Sequence, residues 1–205
     1  NKNVMEIDFM RVKEIAKSIG LEQIAKKNES TGLCFVGRRS FPSFISQFIA
    51  DKRGNFVDME TGKVLGEHQG IHYWTLGQRT GLWDLNKNFV CRKDPATHTI
   101  YTVSGTNHPF LFTDIFYTEN PHWIGENPMR DQSLLCEFRF QHTKPKTECI
   151  VYKGNSNGSK LLIKLKNPLR AITPGQYAIL YKDGECLGSS RIIDSGSGPI
   201  KINES

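Results

Sequence analysis

Glycine-rich phosphate loops are missing from this sequence, although its 205 residues include 18 glycines. It contains no P-loop, no GxGxxG pattern and no SGGxDS pyrophosphate loop, and such loops are the usual cradles for the phosphates of a nucleotide. Nucleotide activation, if this protein requires it, must therefore come from residues outside the chain. Apolar runs of membrane-spanning length and a signal-peptide pattern are missing as well, so we expect no membrane partner.

Cysteine is scarce and irregularly spaced. The five cysteines form no CxxC pair and stand at positions 34, 91, 136, 149 and 186. An odd number without regular spacing argues against a disulfide scaffold and against a four-thiolate zinc site. A reducing compartment fits this pattern better than an oxidising one.

Acidic residues are outnumbered, because 27 Lys and Arg against 21 Asp and Glu give a formal net charge of +6. The basic residues are spread along the chain in short pairs and are not concentrated in a tail or a low-complexity arm. We therefore expect a folded basic face, which favours an anionic partner.

Helical periodicity is confined to the first quarter of the chain. Asp8 is suited to an N-cap, apolar residues then recur at helical spacing, and Gly20 supplies a C-terminal stop. A second, short helix is predicted over residues 43–49, with Pro42 at its start. Because the chain begins at Asn1 and enters a helix at once, we interpret it as a piece of a longer protein, against whose missing part the first helix would pack.

From residue 54 onward the pattern is one of short strands and turns. A hairpin is predicted over residues 55–65, and further strands at 88–91, 99–103, 134–141, 147–152, 160–165, 177–181, 185–193 and 199–202. Their close spacing favours a small antiparallel barrel over a parallel sheet with crossover helices. A domain boundary is placed near residue 105, because residues 107–127 separate two groups of strands. The predicted fold class is mainly β with a few helices (α+β), a small central domain preceding the barrel.

The environment of Cys34 is typical of a reactive sulfur. It lies between Gly32 and Gly37, which leave room for the close approach of a second molecule. Four cations flank this segment: Lys26, Lys27, Arg38 and Arg39. They would favour thiolate over thiol and would also neutralise the phosphates of a polyanion. The alternative is a structural cysteine buried on a strand, since free cysteine is among the most buried residue types. The other four cysteines are expected to be structural.

Residues 66–79 form a second unusual segment, rich in glycine and histidine. Gln78 and Arg79 carry amide and guanidinium donors suited to phosphates or base edges, which makes an RNA contact one interpretation. The alternative is that His68 and His72 bond backbone carbonyls and that Arg79 pairs with a carboxylate. A zinc site on the two histidines lacks a third ligand nearby. A thiol hydrolase with a histidine base lacks a sequence cue that orients either histidine on the thiol.

Three residues of the predicted barrel are candidates for nucleic-acid contact. Arg139 and Phe140 combine a cation with an aromatic ring of the kind that stacks on bases, and Gln176 follows a turn at Pro174 and Gly175. Each has a structural alternative. Alternating Phe and Arg is typical of a half-buried strand, and a surface glutamine is most often only solvated.

Taken together, several phrases of the sequence resemble the tRNA-specific 2-thiouridylases. They occur in the family's order: KKNESTGLCFVG (26–37), GEHQG (66–70), YWTLGQR (73–79), HWI (122–124), and TPGQYA (173–178) with CLG (186–188). The resemblance covers essentially the whole chain. It implies that residues 1–29 close an ATP-pyrophosphatase domain that is otherwise missing, that residues 30–105 form the central domain with the cysteine loop, and that residues 106–205 form a translation-factor-like β-barrel that binds tRNA.

The resemblance implies an enzyme, a tRNA-uridine 2-sulfurtransferase that makes 2-thiouridine at the wobble position. Cys34 matches the family's cysteine that accepts sulfur as a persulfide. ATP and magnesium would be bound by the missing domain, which would also supply the second cysteine of a transient disulfide, so no cofactor or metal site is expected in this chain. The family's tRNA-contacting positions match Arg139, Phe140 and Gln176. Further candidates for tRNA contact are Lys26, Lys27, Arg38 and Arg79.

The expected partners besides tRNA are a sulfur carrier or a cysteine desulfurase relay, and the protein is expected to be a monomer. Residues 80–84 run almost directly into the next strand, a shorter loop than bacterial relatives have. This resembles a mitochondrial enzyme, with a cytoplasmic location as the alternative. By itself the chain is expected to be inactive. The alternative function is that of a non-catalytic RNA-binding barrel module with a structural Cys34.

Overall fold

A computed structural model describes residues 9–26, 40–82, 87–141, 144–154 and 160–195. The chain divides into two compact units, Asn1–Ile49 and Ala50–Ser205. The domain boundaries expected at residues 29 and 105 stay predictions. Within the described residues, none of the helices has the length and apolar character needed to cross a membrane.

The described residues of the first unit form three short helices, α1 (Phe9–Ser18), α2 (Glu22–Ala25) and α3 (Phe41–Ile45). The predicted first helix is confirmed as α1, and Gly20 follows it with a φ of +81° that suits a helix end. The α3 helix begins two residues earlier than predicted. The reason is its N-cap, because the Ser40 hydroxyl accepts a hydrogen bond from the Ser43 backbone N–H at 3.2 Å.

A central sheet of four strands opens the second unit: β1 (Gly54–Asp58), β2 (Val64–His68), β3 (Asn88–Asp94) and β4 (Thr99–Ser104). Their order is β2-β1-β4-β3. The predicted hairpin is confirmed as β1 and β2, but β1 pairs with β4 in parallel. The sheet is therefore mixed, whereas only antiparallel pairing was predicted. Strand alternation does not encode strand direction, which is why the sequence pattern missed this pairing.

The core of the central sheet is small. Phe56, Val90 and Ile100 form one buried cluster, and Cys91, Val103 and Leu111 form a second. The Trp74 ring packs edge-on against Phe56, with ring centroids 4.9 Å apart. Because few apolar groups are buried here, the sheet also depends on its hydrogen-bonded turns.

The barrel follows, built from β5 (Phe112–Thr118), β7 (Ser133–Arg139), β8 (Thr147–Lys153), β9 (Leu161–Arg170), β10 (Tyr177–Lys182) and β11 (Glu185–Ser195). These six strands pair antiparallel in the order β10-β7-β8-β9-β5-β11, and β11 pairs back with β10. A two-residue strand, β6 (His122–Trp123), is added to β11. The predicted antiparallel barrel is confirmed, with a continuous core that includes the fully buried Phe116 and Phe138. The strand predicted at 199–202 lies outside the described residues.

The β5 strand corrects the sequence interpretation of residues 107–127 as a separator between strand groups. It lies between β9 and β11 in the middle of the barrel sheet. A register irregularity between Thr113 and Ile115 interrupts its alternation, so that Ile115 and Phe116 are buried in succession. A strand with a bulge loses the period of two on which sequence recognition depends.

Four cysteines lie within the described residues, and three of them are buried in sheet cores. Burial raises the pKa of Cys91 to about 12. Cys136 and Cys149 oppose each other on β7 and β8 with their sulfur atoms 3.6 Å apart. The hydrogen bond to Cys136, together with burial, raises the pKa of Cys149. These buried sites suit structural cysteines, whereas Cys186 is exposed at a hairpin and has no comparable packing role.

Candidate nucleic-acid interface

A groove of about 590 Å³ lies where the central sheet meets the barrel. One wall is the turn at residues 75–78, hereafter the 75–78 turn. The other wall is formed by one end of the barrel. The barrel residues in this lining are Phe112, Phe140, Gln141, Lys144, Pro145, Thr147, Pro168, Leu169, Arg170, Ala171, Thr173 and Gln176. Among the described residues, this lining contains two cations, Lys144 and Arg170, and no carboxylate.

The 75–78 turn is held by backbone hydrogen bonds to the edge of β3. The Gly77 N–H donates to the Val90 carbonyl at 2.7 Å, and the Val90 N–H donates to the Gln78 carbonyl at 2.9 Å. Immediately before the turn, the Lys93 ammonium donates to the Trp74 carbonyl at 2.8 Å, and burial lowers the pKa of Lys93. The groove wall is thus an extension of the central sheet.

Gly77 brings the turn into close contact with the barrel. Its φ is +78°, which favours glycine. A Cβ at this position would lie 2.7 Å from the Ala171 Cβ and 2.8 Å from an Arg170 guanidinium nitrogen. Both the backbone conformation and the space therefore require a residue without a side chain.

Arg170, the last residue of β9, joins the two walls. Its Nη2 donates to the Gly77 carbonyl at 2.9 Å and its Nε donates to the Thr106 carbonyl at 3.2 Å. The guanidinium also lies over the Phe89 ring, 5.3 Å from the centroid. One barrel side chain thereby contacts the 75–78 turn, the connection that follows β4 and the β3 strand, and so links the two walls of the groove.

Phe140 and Gln176, which are 36 positions apart in the sequence, line the same groove. Phe140 follows β7, and its ring stacks on Phe138 at a centroid distance of 5.7 Å and an interplanar angle of 4°. Gln176 is held by its backbone, because its carbonyl accepts from the Ile192 N–H at 2.8 Å. Its side-chain Oε1 is buried without a hydrogen-bond partner among the described residues.

Arg139 is not brought into the groove with them. Along β7 the side chains of Leu134, Cys136 and Phe138 are buried in the barrel core, so Arg139 projects on the opposite face. It pairs in register with Ile179 of β10 and is half-buried. Arg139 is therefore a neighbour of the groove, on the outer surface of the barrel.

The remaining predicted site residues are dispersed. Arg79 is exposed next to the 75–78 turn and forms an isolated bridge with Phe89. Lys26 is exposed on the first unit and lies 3.5 Å from the Glu22 carboxylate. Three predicted residues lie outside the described part of the chain: Lys27, Cys34 and Arg38.

The histidines of the central sheet have structural partners. His68 is buried, and its Nε2 donates to the His98 carbonyl at 3.1 Å. Burial lowers the pKa of His68. The His72 Nε2 lies 3.8 Å from the Asp51 carboxylate. The described residues contain no group of three His, Cys, Asp or Glu side chains suited to a metal ion.

Sequence reasoning missed Arg170 and Lys144 as parts of the groove. A single arginine at the end of a strand has no distinguishing neighbours in the sequence, and its role depends on the position of Gly77, 93 residues away. Lys144 is one of the basic residues dispersed along the chain, and no motif surrounds it in the sequence. The signal that could have indicated this region is Gly77 itself, which belongs to the YWTLGQR phrase and adopts a positive φ.

Comparisons with known proteins agree with this architecture. A family model described as "tRNA methyl transferase PRC-barrel domain" matches residues 42–104, and one described as "Aminomethyltransferase beta-barrel domain" matches residues 113–192. The mitochondrial tRNA-specific 2-thiouridylase 1 of Drosophila melanogaster is 48% identical over 201 residues, covering 95% of this chain and 51% of the relative. The human protein of the same name is 36% identical over 198 residues, covering 94% of this chain and 47% of the relative.

A bacterial relative, the tRNA-specific 2-thiouridylase MnmA of Chlamydia trachomatis serovar L2, is 35% identical over 184 residues, covering 88% of this chain and 50% of the relative. The chain thus spans about half the length of the curated relatives it matches. The similarity extends across the central sheet and the barrel together. The chain belongs to the family of tRNA-specific 2-thiouridylases.

Proposed function

We propose that this chain is the tRNA-binding and sulfur-donating part of a mitochondrial 2-thiouridylase, which transfers sulfur to C2 of the wobble uridine of tRNA. The names of the relatives support the substrate, the reaction class and the organelle. The observation that carries the proposal is the groove. Two of the three positions that match the family's tRNA contacts, Phe140 and Gln176, meet there beside cations, and the described lining contains no carboxylate.

The sulfur would be carried by Cys34 as a persulfide, supplied by a sulfur carrier or a cysteine desulfurase. The outer sulfur of the persulfide forms a bond to C2 of the uridine, whose oxygen would have been activated by adenylation, and the C2–O bond breaks so that the oxygen leaves as part of AMP. The sulfur–sulfur bond then breaks when a second thiol attacks Cys34, which leaves 2-thiouridine and a disulfide. An external thiol reductant would restore the two cysteines. The glycines and cations around Cys34 suit this role, because they allow close approach and favour the thiolate.

We propose that ATP and magnesium are bound outside this chain, as the resemblance implies. The sequence has no phosphate loop, and the described residues have no cluster suited to a metal. In the proposed enzyme, activation of the uridine oxygen would therefore belong to residues beyond this chain, and the chain by itself would bind tRNA as a monomer without thiolating it.

The test is substitution of Cys34 in the full-length enzyme. We expect Cys34→Ser to abolish formation of 2-thiouridine, measured by mass spectrometry of nucleosides from the tRNA, while tRNA affinity stays nearly unchanged. After incubation with a cysteine desulfurase, the wild-type protein should gain the mass of one sulfur atom on the peptide that contains Cys34.

The matched control is Cys186→Ser, because Cys186 is the exposed cysteine among those described. This variant should retain both thiolation and the persulfide. If Cys34→Ser still thiolates tRNA, Cys34 is structural and the chain is a non-catalytic RNA-binding module.

A further inference from the structure

We propose that the groove holds one unpaired nucleotide of the tRNA, and that Gln78 on the 75–78 turn reads its base from the side opposite Gln176. This inference rests on the proposed tRNA-binding function and deepens it. The two walls come from different parts of the fold, the central sheet and the barrel. The groove volume, about 590 Å³, lies within the range of about 300 to 1,000 Å³ that is typical of small-ligand sites.

The barrel wall provides a stacking surface and a hydrogen-bond acceptor. The parallel stack of Phe138 on Phe140 fixes the Phe140 ring at the groove, and a fixed aromatic ring is a platform on which any base can stack. The Gln176 Oε1 is buried without a partner among the described residues. A buried acceptor of this kind is costly unless a donor reaches it, and a base in the groove would bring that donor.

The central wall provides the complementary donor. The Gln78 Oε1 accepts a hydrogen bond from the Thr75 N–H at 3.0 Å. This bond orients the side-chain amide, so the Nε2 is the group that remains to donate outward. The lining therefore offers a donor on one wall and an acceptor on the other.

A donor and an acceptor together match the Watson–Crick edge of a base. Each of the four bases presents at least one donor and one acceptor on that edge, but only when the base is unpaired. The groove therefore selects for an unpaired nucleotide more strongly than for a particular base. Lys144 is exposed at the margin and provides a cation for the adjoining phosphate.

Arg170 is a positioning residue in this site. Its hydrogen bond to the Gly77 carbonyl holds the 75–78 turn against the barrel, and its contacts with Thr106 and Phe89 keep the guanidinium in place. The distance between the walls determines whether both amides can reach one base. The residue acts through the turn and is itself engaged with backbone carbonyls.

The experiment compares Gln78→Glu with Gln69→Glu in the full-length enzyme. Gln78→Glu keeps an oxygen for the Thr75 N–H and replaces the outward donor with a carboxylate oxygen. Gln69 is an exposed glutamine of the same central region and does not line the groove, so Gln69→Glu is matched in charge. We expect affinity for the tRNA to fall about tenfold with Gln78→Glu and to stay within about twofold with Gln69→Glu.

Two RNA probes test the unpaired nucleotide directly. A short single-stranded RNA should lose affinity with Gln78→Glu as tRNA does, whereas a blunt RNA duplex of the same length should be bound weakly and equally by both variants. Equal binding of tRNA by Gln78→Glu and Gln69→Glu, at unchanged melting temperatures, would overturn the proposed role of Gln78. If Gln78→Glu reduced the affinity for the single strand and for the duplex equally, the proposal that the groove holds an unpaired nucleotide would be overturned. Neither result bears on the proposed function itself, because the Cys34 test measures thiolation and these experiments measure RNA affinity.

Discussion

The barrel and the central sheet differ in how the edges of their outer strands are paired or covered. In the barrel, β10 pairs with both β7 and β11, so the sheet closes around one continuous apolar core. The central sheet stays open, and the edge of β3 is covered by the segment that includes the 75–78 turn. The barrel wall of the groove is consequently held in place by side-chain packing, and the wall formed by the 75–78 turn is held by backbone hydrogen bonds.

In the proposed tRNA-binding function, this difference gives the two regions different roles. A closed barrel is rigid, because side chains from all six strands interlock in its core, and it presents Phe140 and Gln176 in fixed positions. An edge-covering turn depends on a few backbone bonds, so its position responds to small changes. We expect substitutions in the barrel core to change stability most, and substitutions at the turn to change the groove.

The largest effect is expected from breaking the barrel core. Phe138 is fully buried and contacts both Phe116, at a centroid distance of 5.1 Å, and Phe140. Phe138→Ala should reduce the free energy of unfolding by about 3 to 5 kcal/mol, measured by chemical denaturation. The matched control on the same strand is Leu135→Ala, because Leu135 is 68% exposed. Similar losses for the two variants would contradict the assignment of β7 to a closed core.

A smaller loss of stability is expected from a substitution at Gly77, where the 75–78 turn meets the barrel. Gly77→Ala should cost about 1 to 3 kcal/mol of unfolding free energy, because it combines a positive φ with the 2.7 Å contact to Ala171. It should also weaken tRNA binding, because the displaced turn changes the groove. Gly81→Ala is the control, since Gly81 has a φ of +68° and open space around it. If both variants lose the same stability and neither loses affinity, the close approach at Gly77 has no role in the groove.

The smallest expected effect is a dependence of folding stability on pH, caused by His68 in the central sheet. Burial lowers the pKa of His68 in the folded protein, so the folded state binds fewer protons than the unfolded state below the ordinary histidine pKa of about 6.5. The stability that His68 contributes is therefore fully present above that pH and is lost as the pH falls through the folded pKa.

The measurement is the melting temperature of the protein between neutral and mildly acidic pH. In the His68→Gln variant the melting temperature should fall less at acidic pH than in the wild type. Substitution of the exposed His122 by Gln should leave the fall in melting temperature unchanged. An identical pH profile for wild type and His68→Gln would show that the buried histidine is not the titrating group.

Much of the strand content could be predicted because alternation of apolar and polar residues is a local property. The strands at 147–152 and 177–181 were predicted from such alternation and are confirmed as β8 and β10. The β5 strand was missed because a bulge interrupts its alternation. The Phe140 and Gln176 candidates came from residue types and from resemblance, and the sequence had no means of showing that Arg139, next to Phe140, points to the other face of β7.

The sequence by itself determined the family, the abundance of short strands, the cation-rich surroundings of Cys34 and the requirement for glycine at turns, because each depends on neighbouring residues or on a recognisable phrase. Only the tertiary structure decided that β1 and β4 pair in parallel, that Gln176 reaches the groove of Phe140, and that Arg170 holds the 75–78 turn 93 positions away. These contacts join residues distant in the chain, and their geometry follows from closure of the barrel and from packing between sheets, neither of which leaves a periodic signal in the sequence.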